Sequence, residues 1–224
     1  MSTAGLLVIG NEILSGKVVD ANSPYLASEL RPLGVELQRI LTIPDDVDII
    51  ANEVRAMSKA YDHVFTSGGI GPTHDDVTLE GVALAFGREL VLDVEMCRRM
   101  EEAIGKPLND SMRKMAMLPE GCERGQAGNL WFPVVAVENV YIFPGIPELF
   151  RKKFESLRER FSGVPFELKR VYVTRHESEI AHHLNSLLVE FAELALGSYP
   201  RIARPARRAR TARARPISIQ AGCR

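Results

Sequence analysis

Cysteine is sparse. Cys97, Cys122 and Cys223 are the three among 224 residues, far apart and odd in number. No C-x-x-C pair exists, so the pattern supports neither a zinc ribbon nor a disulfide framework, and a reducing, cytoplasmic setting is the expectation. Long apolar runs are missing as well: no stretch approaches the roughly 18 residues of a membrane span. The opening MSTAGLLVIGNEIL has no basic n-region, and Asn11 and Glu12 break its apolar run, so it predicts a strand and not a signal peptide. Basic side chains are scarce outside the final stretch. Residues 201–224 hold eight Arg and no acid, and removing them from the 28 Lys and Arg leaves 20 against 29 Asp and Glu, a balance of −9 over residues 1–200. That acidic body is no nucleic-acid surface by composition. What remains is ordinary: 46% apolar and 25% charged residues fit a globular protein with one good-sized core.

The apolar pattern alternates between two periods. LLVI (6–9) predicts a buried strand ending at Gly10. NSPYLASELRPLG follows, with Asn22 or Ser23 as a cap, Pro24 in the first turn and Leu26, Leu30 and Leu33 on one face. VELQRILTI (35–43) reads as a strand. After Pro44-Asp45-Asp46, the series Ile50, Val54, Met57 and Tyr61 has helical period. HVFTS (63–67) is the next strand, then a Gly-rich loop, then a helix with Leu79, Val82, Ala83 and Phe86 on one face and Gly87 as its stop. Strand and helix alternating over short links predict an α/β fold with a parallel sheet covered on both faces. Ligands of such sheets sit beyond the carboxyl ends of the strands. Three polar clusters, GNEILSG (10–16), PDD (44–46) and SGGIGPTHDD (67–76), fall on that rim.

Further along, residues 94–118 predict two helices separated by GKPLND, residues 131–145 a hairpin turning at Glu138-Asn139, and residues 147–161 a helix with Phe150, Phe154, Leu157 and Phe161 on its face. Trp131, Pro144 and Pro147 frame a turn around Gly145 that would wall a pocket. GVP (163–165) marks a boundary, which divides the chain into a main domain (1–162), a partial β-α-β subdomain (166–200) and a tail (201–224). The Arg/Ala/Pro-rich tail is expected to be disordered.

The stretch TSGGIGPTHDDVTLEG (66–81) carries the chemistry. Gly68, Gly69 and Gly71 let the backbone approach a ligand and aim N–H groups at it, and the next helix adds its positive end. The loop lacks the G-K-[ST] ending of a P-loop and is not G-x-G-x-x-G. Instead of a lysine it supplies Asp75, Asp76 and Glu80. A carboxylate about 4 Å from a phosphate oxygen repels it by about 1 kcal/mol in water and about 4 at an effective dielectric of 20. A divalent cation between them reverses the sign. Asp75, Asp76, Asp45 and Asp46 are therefore candidate ligands of Mg, Mn or Co, with Asp45 or Glu12 positioning water. A capping role is the plain alternative for any single Asp. Thr73 and Thr78 are candidate phosphate or metal-water partners.

The segments IGNEILSGKVVDANSPYLASELRPLG, PDD, SGGIGPTHDDVTLEGVALAFG and FPGIPELF resemble the MoaB/Mog molybdopterin-binding domain over roughly residues 5–160. Within that group FPVVAVENVYIFPGIPELF and LGSYP are most similar to the branch shared by CinA and the N-terminal domain of eukaryotic FAD synthase. The resemblance implies a three-layer α/β/α sandwich with a mostly parallel sheet, and a homo-oligomer, a dimer or trimer. It implies metal-dependent hydrolysis of a nucleotide pyrophosphate such as FAD or ADP-ribose. The alternatives are a pterin-phosphate binding or adenylyl-transfer role in molybdenum cofactor synthesis, or a non-catalytic nucleotide-binding module. It places the family's functional positions on Gly68, Gly69, Gly71, Thr73, Asp75, Asp76 and Thr78, with Glu12, Asp45 and Asp46 opposite; Ser67, Pro72, Asn22 and Gly145 are further candidate substrate contacts, and Asp75, Asp76, Asp45 and Glu12 the candidate catalytic residues. Neither the deamidase domain of CinA nor an FAD-making synthase domain is present in the sequence, and the β-α-β unit resembles half of a second subdomain.

Overall fold

The computed structural model describes residues 2–125, 132–164, 168–200 and 217–223. The chain divides into two compact units, residues 1–164 and 165–224. Trp131 and residues 201–216 lie outside the described residues.

In the first unit, β1 (Ser2–Ile9) leads through a short turn of helix, α1 (Asn11–Leu14), to α2 (Asn22–Leu30) and β2 (Val35–Ile43). Then come α3 (Val47–Ala60), β3 (His63–Ser67) and α4 (Thr78–Ala85). β4 (Leu90–Leu92), α5 (Val94–Ile104), α6 (Asp110–Met115) and β5 (Met117–Pro119) form an excursion in which β4 and β5 pair. The chain returns through β6 (Glu123–Gly125) and the hairpin of β7 (Val134–Val137) and β8 (Val140–Phe143), and ends in α7 (Pro147–Leu157). The main sheet has the order β2-β1-β3-β8-β7-β6. β2, β1, β3 and β8 run parallel, and β7 and β6 complete it antiparallel.

The period of two explains why both faces of this sheet are covered. Along β1, Leu7 and Ile9 enter one core while Ala4, Leu6 and Val8 enter the other. The first core takes Ile50, Val54 and Met57 of α3 and Leu79 and Val82 of α4. The second takes Leu26 and Leu30 of α2 and Phe150, Phe154 and Leu157 of α7. Aromatic rings dominate the second: Phe161 meets Phe65 at 4.9 Å edge-on, and Phe143 lies 5.0 Å from Phe150. Each buried Phe contributes about 1.5–3 kcal/mol. The expected three-layer sandwich is the observed one.

The second unit holds β9 (Leu168–Val173), α8 (Glu177–Glu190), β10 (Leu194–Pro200) and β11 (Ile217–Cys223). Residues 217–223, expected within a disordered tail, form a strand that pairs antiparallel with both β9 and β10 and lies between them. ISIQAGC alternates larger and small or polar residues as a strand does, but it follows an Arg/Ala/Pro run whose composition masks that short period. Among the described residues the unit is therefore a three-stranded sheet with one helix, not a bare β-α-β. Among the described residues no helix is long and apolar enough to cross a membrane.

Candidate functional site

β2, β1, β3 and β8 present their carboxyl ends on one rim, and the order of connection reverses between β1 and β3. α2, after β1, packs in one core and α3, after β2, in the other, so the loops after β1 and β3 part and leave a crevice. A cavity of about 430 Å³ occupies it. Its wall draws Glu12 from the loop after β1, Gly68 to Pro72 and Asp76 from the loop after β3, Gly145 from the turn after β8, and Lys153 from α7. Met115, Phe132, Ile146 and Leu149 make the rest of the lining largely apolar.

The glycine turn is built tightly. Gly68 has φ +107°, and a Cβ there would lie 2.1 Å from the Ile9 carbonyl oxygen; one on Gly69 would lie 2.2 Å from Thr78 Oγ1. Thr78 is fully buried and holds the turn from inside. Its hydroxyl donates to Gly68 O at 2.9 Å, and its N–H donates to Gly69 O at 2.9 Å. Thr78 thus fixes the backbone instead of facing the cavity.

Asn22 is also redirected. The first N–H groups of α2 are met from outside the helix by Asp20, whose Oδ1 accepts those of Asn22 at 2.9 Å and Ser23 at 3.1 Å. The Asn22 side chain, 4% exposed, is left to bridge strand ends: Nδ2 donates to Ser67 Oγ and to Gly145 O, both at 2.9 Å. Ser67 and Asn22 therefore tie β3, α2 and the turn after β8 together. They line a smaller neighbouring cavity of about 80 Å³, which shares Glu12, Gly68 and Gly145 with the first.

The acids separate into two kinds. Asp46 is the N-cap of α3, accepting Ile49 N–H at 2.9 Å. Asp45 Oδ2 accepts Asn11 N–H at 2.8 Å and so anchors the loop that carries Glu12. Thr73 shares its hydroxyl proton between Asp75 and Asp76, and its N–H donates to Asp76 Oδ2 at 2.8 Å. The Thr73 hydroxyl is thus spent on carboxylates and is not free for phosphate. Its hydrogen bond, with that of the Asp75 backbone N–H, lowers the Asp75 pKa below the usual carboxylate range. Asp75 is exposed and does not line the cavity, and the His74 side chain is 98% exposed. Glu12 and Asp76 do line it.

The expected set of four metal ligands is therefore not assembled. Among the described residues no three His, Cys, Asp or Glu side chains stand close enough to hold one ion. The reason is local: Asp45 and Asp46 serve backbone N–H groups where the chain turns from β2 into α3. Two carboxylates on one cavity wall still fit a magnesium-type ion, which keeps several waters and is held by one or two carboxylates together with substrate phosphates.

Two cations complete the electrostatics, and neither comes from the loop. Lys114 of α6 donates to Thr73 O at 2.8 Å. Lys153 of α7 is 2% exposed; its Nζ donates to Phe132 O and Pro133 O at 2.9 Å each and lies 3.9 Å from the Phe132 ring centroid. Burial pushes its pKa down from 10.5 to about 7. The signal for it was available: 150, 153, 154 and 157 are i, i+3, i+4 and i+7, so Lys153 sits at an apolar-stripe position of α7.

This burial has a consequence for stability. The unfolded chain keeps a proton that the folded chain releases above about pH 7, so folding becomes more favourable as pH rises from about 7 towards 10.5, by at most about 1.4 kcal/mol per pH unit. Urea midpoints of the wild type are expected to rise across that window relative to Lys153→Met. Parallel pH profiles for the two proteins would show that Lys153 titrates normally.

Residues 5–162 match the model of the probable molybdopterin binding domain, and residues 165–211 that of the FAD synthase middle domain. The chain belongs to the molybdopterin-binding-domain family. A protein of Archaeoglobus fulgidus is 39% identical over 196 residues, 88% of this chain and 85% of that one. A probable FAD synthase of Caenorhabditis elegans is 33% identical over 89% of this chain, which spans 44% of that relative's length. The crystal structure of the protein CinA from Thermoplasma acidophilum matches with a TM-score of 0.66 at 30% identity, covering 71% of this chain and 98% of that one. Within the family, the chain sits with the CinA and FAD synthase branch.

Proposed function

We propose that the cavity binds a nucleotide pyrophosphate of the FAD or ADP-ribose kind and that the anhydride is hydrolysed there with Mg, Mn or Co. One observation carries this reading. Two carboxylates from different strand ends, Glu12 and Asp76, share a cavity with a glycine turn and a buried lysine. The apolar lining suits a flat heteroaromatic ring, and Gly68, Gly69 and Gly71 admit a phosphate close to the backbone. Water adds to one phosphorus, the bridging P–O bond breaks, and the bridging oxygen departs on the other phosphate. A divalent cation would neutralise charge on the leaving phosphate. Asp76 would hold that cation, with Thr73 fixing the carboxylate. Glu12 would orient the water, and Asp45 would position the Glu12 loop through Asn11 N–H. The Caenorhabditis elegans relative is named a probable FAD synthase, which supports FAD as a ligand class without bearing on its cleavage.

FAD, ADP-ribose, NAD and ATP incubated with the protein and each divalent ion test this directly. Mononucleotides released from FAD or ADP-ribose are the expected result. No cleavage of any of them would overturn the hydrolase and favour a binding module. The family match over residues 5–162 supports a second reading, binding of a pterin phosphate in the same cavity. Titration with molybdopterin and FAD in parallel separates the two, and tighter pterin binding would reverse their order.

A further inference from the structure

We propose that Lys153 is the anion-reading group of this cavity: a phosphate oxygen of the ligand takes its Nζ as ion partner. The inference rests on the nucleotide reading above and names the residue that recognises the charge. The Gly loop itself offers no cation, and the other charged side chains on the cavity wall, Glu12 and Asp76, repel an anion. Lys114 does not line the cavity and is engaged with Thr73 O. Lys153 remains. Its position is fixed, because the Phe132 and Pro133 carbonyls accept two of the three N–H groups of the ammonium and the Phe132 ring lies 3.9 Å away; the remaining N–H would turn to the ligand. Both hydrogen-bond partners are neutral, so the buried charge lacks a counter-ion that an incoming phosphate would supply.

Binding and protonation are then linked. Burial leaves the free lysine half-protonated near pH 7, and an anion beside it favours the charged form. Above that pH the complex takes up a proton that free protein lacks, and affinity falls by up to about tenfold per pH unit.

Isothermal titration with ADP-ribose at about pH 8, in buffers of differing ionisation enthalpy and without divalent ions, reads this on the wild-type protein. ADP-ribose has no group of its own that titrates near that pH. Uptake approaching one proton per ligand is expected. Lys153→Met is expected to bind at least about tenfold more weakly at pH 6.5, with no uptake. Lys153→Arg, which stays charged, should bind without uptake. ADP-ribose binding with no proton uptake and a flat pH profile in the wild type would overturn the role of Lys153 and leave the nucleotide reading standing. Failure to bind ADP-ribose in a parallel titration with magnesium present would instead remove the nucleotide reading. Sulfate, which does not titrate in this range, is then the probe: binding with uptake that Lys153→Met abolishes keeps Lys153 as an anion reader, and any other result overturns it.

Discussion

Gly68→Ala is expected to cost about 4 kcal/mol of stability, a large part of the roughly 5–15 that holds a domain of this size. Two effects add. The residue has φ +107°, where an L side chain is strained, and the new methyl would stand 2.1 Å from the carbonyl oxygen of Ile9. That oxygen belongs to the end of β1, which is paired on both sides in the sheet and has no room to retreat. Gly87→Ala separates the effects. Its φ is +64°, but nothing lies within 4 Å of a Cβ there, so only the backbone term applies, about 1–2 kcal/mol. Urea unfolding of the two variants measures the difference. Equal losses would mean that the loop after β3 relaxes away from β1, and the close packing of these strand ends would not be a constraint.

Asp76→Asn is expected to reduce hydrolysis of ADP-ribose or FAD by about a thousandfold while the protein keeps its fold. The fold survives because an Asn side-chain oxygen still accepts the Thr73 N–H now bonded to Asp76 at 2.8 Å. The more searching measurement is the sign of the effect on binding. If Asp76 meets the phosphate directly, removing its charge relieves repulsion and tightens ADP-ribose binding. If a divalent ion stands between them, the same change weakens binding in magnesium and tightens it only in chelator. Undiminished turnover by Asp76→Asn would remove Asp76 from the chemistry. Tighter binding with magnesium present would remove the ion.

The sandwich was legible because its signals are local. Leu7 and Ile9 alternate with Leu6 and Val8, and Ile50, Val54 and Met57 recur at helical spacing, so each segment declares its own period. The rim was legible for the same reason, since a parallel sheet delivers the loops after β1, β2 and β3 to one side whatever their side chains do. Individual roles were not. Asp45, Asp46, Asp75 and Asp76 are alike in sequence, but Asp46 caps α3, Asp45 binds Asn11 N–H, and Asp75 turns outward with Thr73. Which of four similar carboxylates faces the cavity depends on backbone N–H groups within reach, and a spacing rule does not encode that. The strand at 217–223 escaped because its partners, β9 and β10, lie in earlier sequence and its short alternation follows a biased run.

Local patterning alone set the alternation of strand and helix from β1 to α4, the two covered faces and the position of the glycine turn at the end of β3. The folded chain decided what the cavity contains. Asn22 joins Ser67 and, 123 residues away, Gly145; Lys153 is brought beneath the carbonyls of Phe132 and Pro133; and Glu12 and Asp76 come to share one wall. Periodicity is a property of neighbours along the chain, whereas the charge of a cavity is summed over side chains that meet only when the sheet closes.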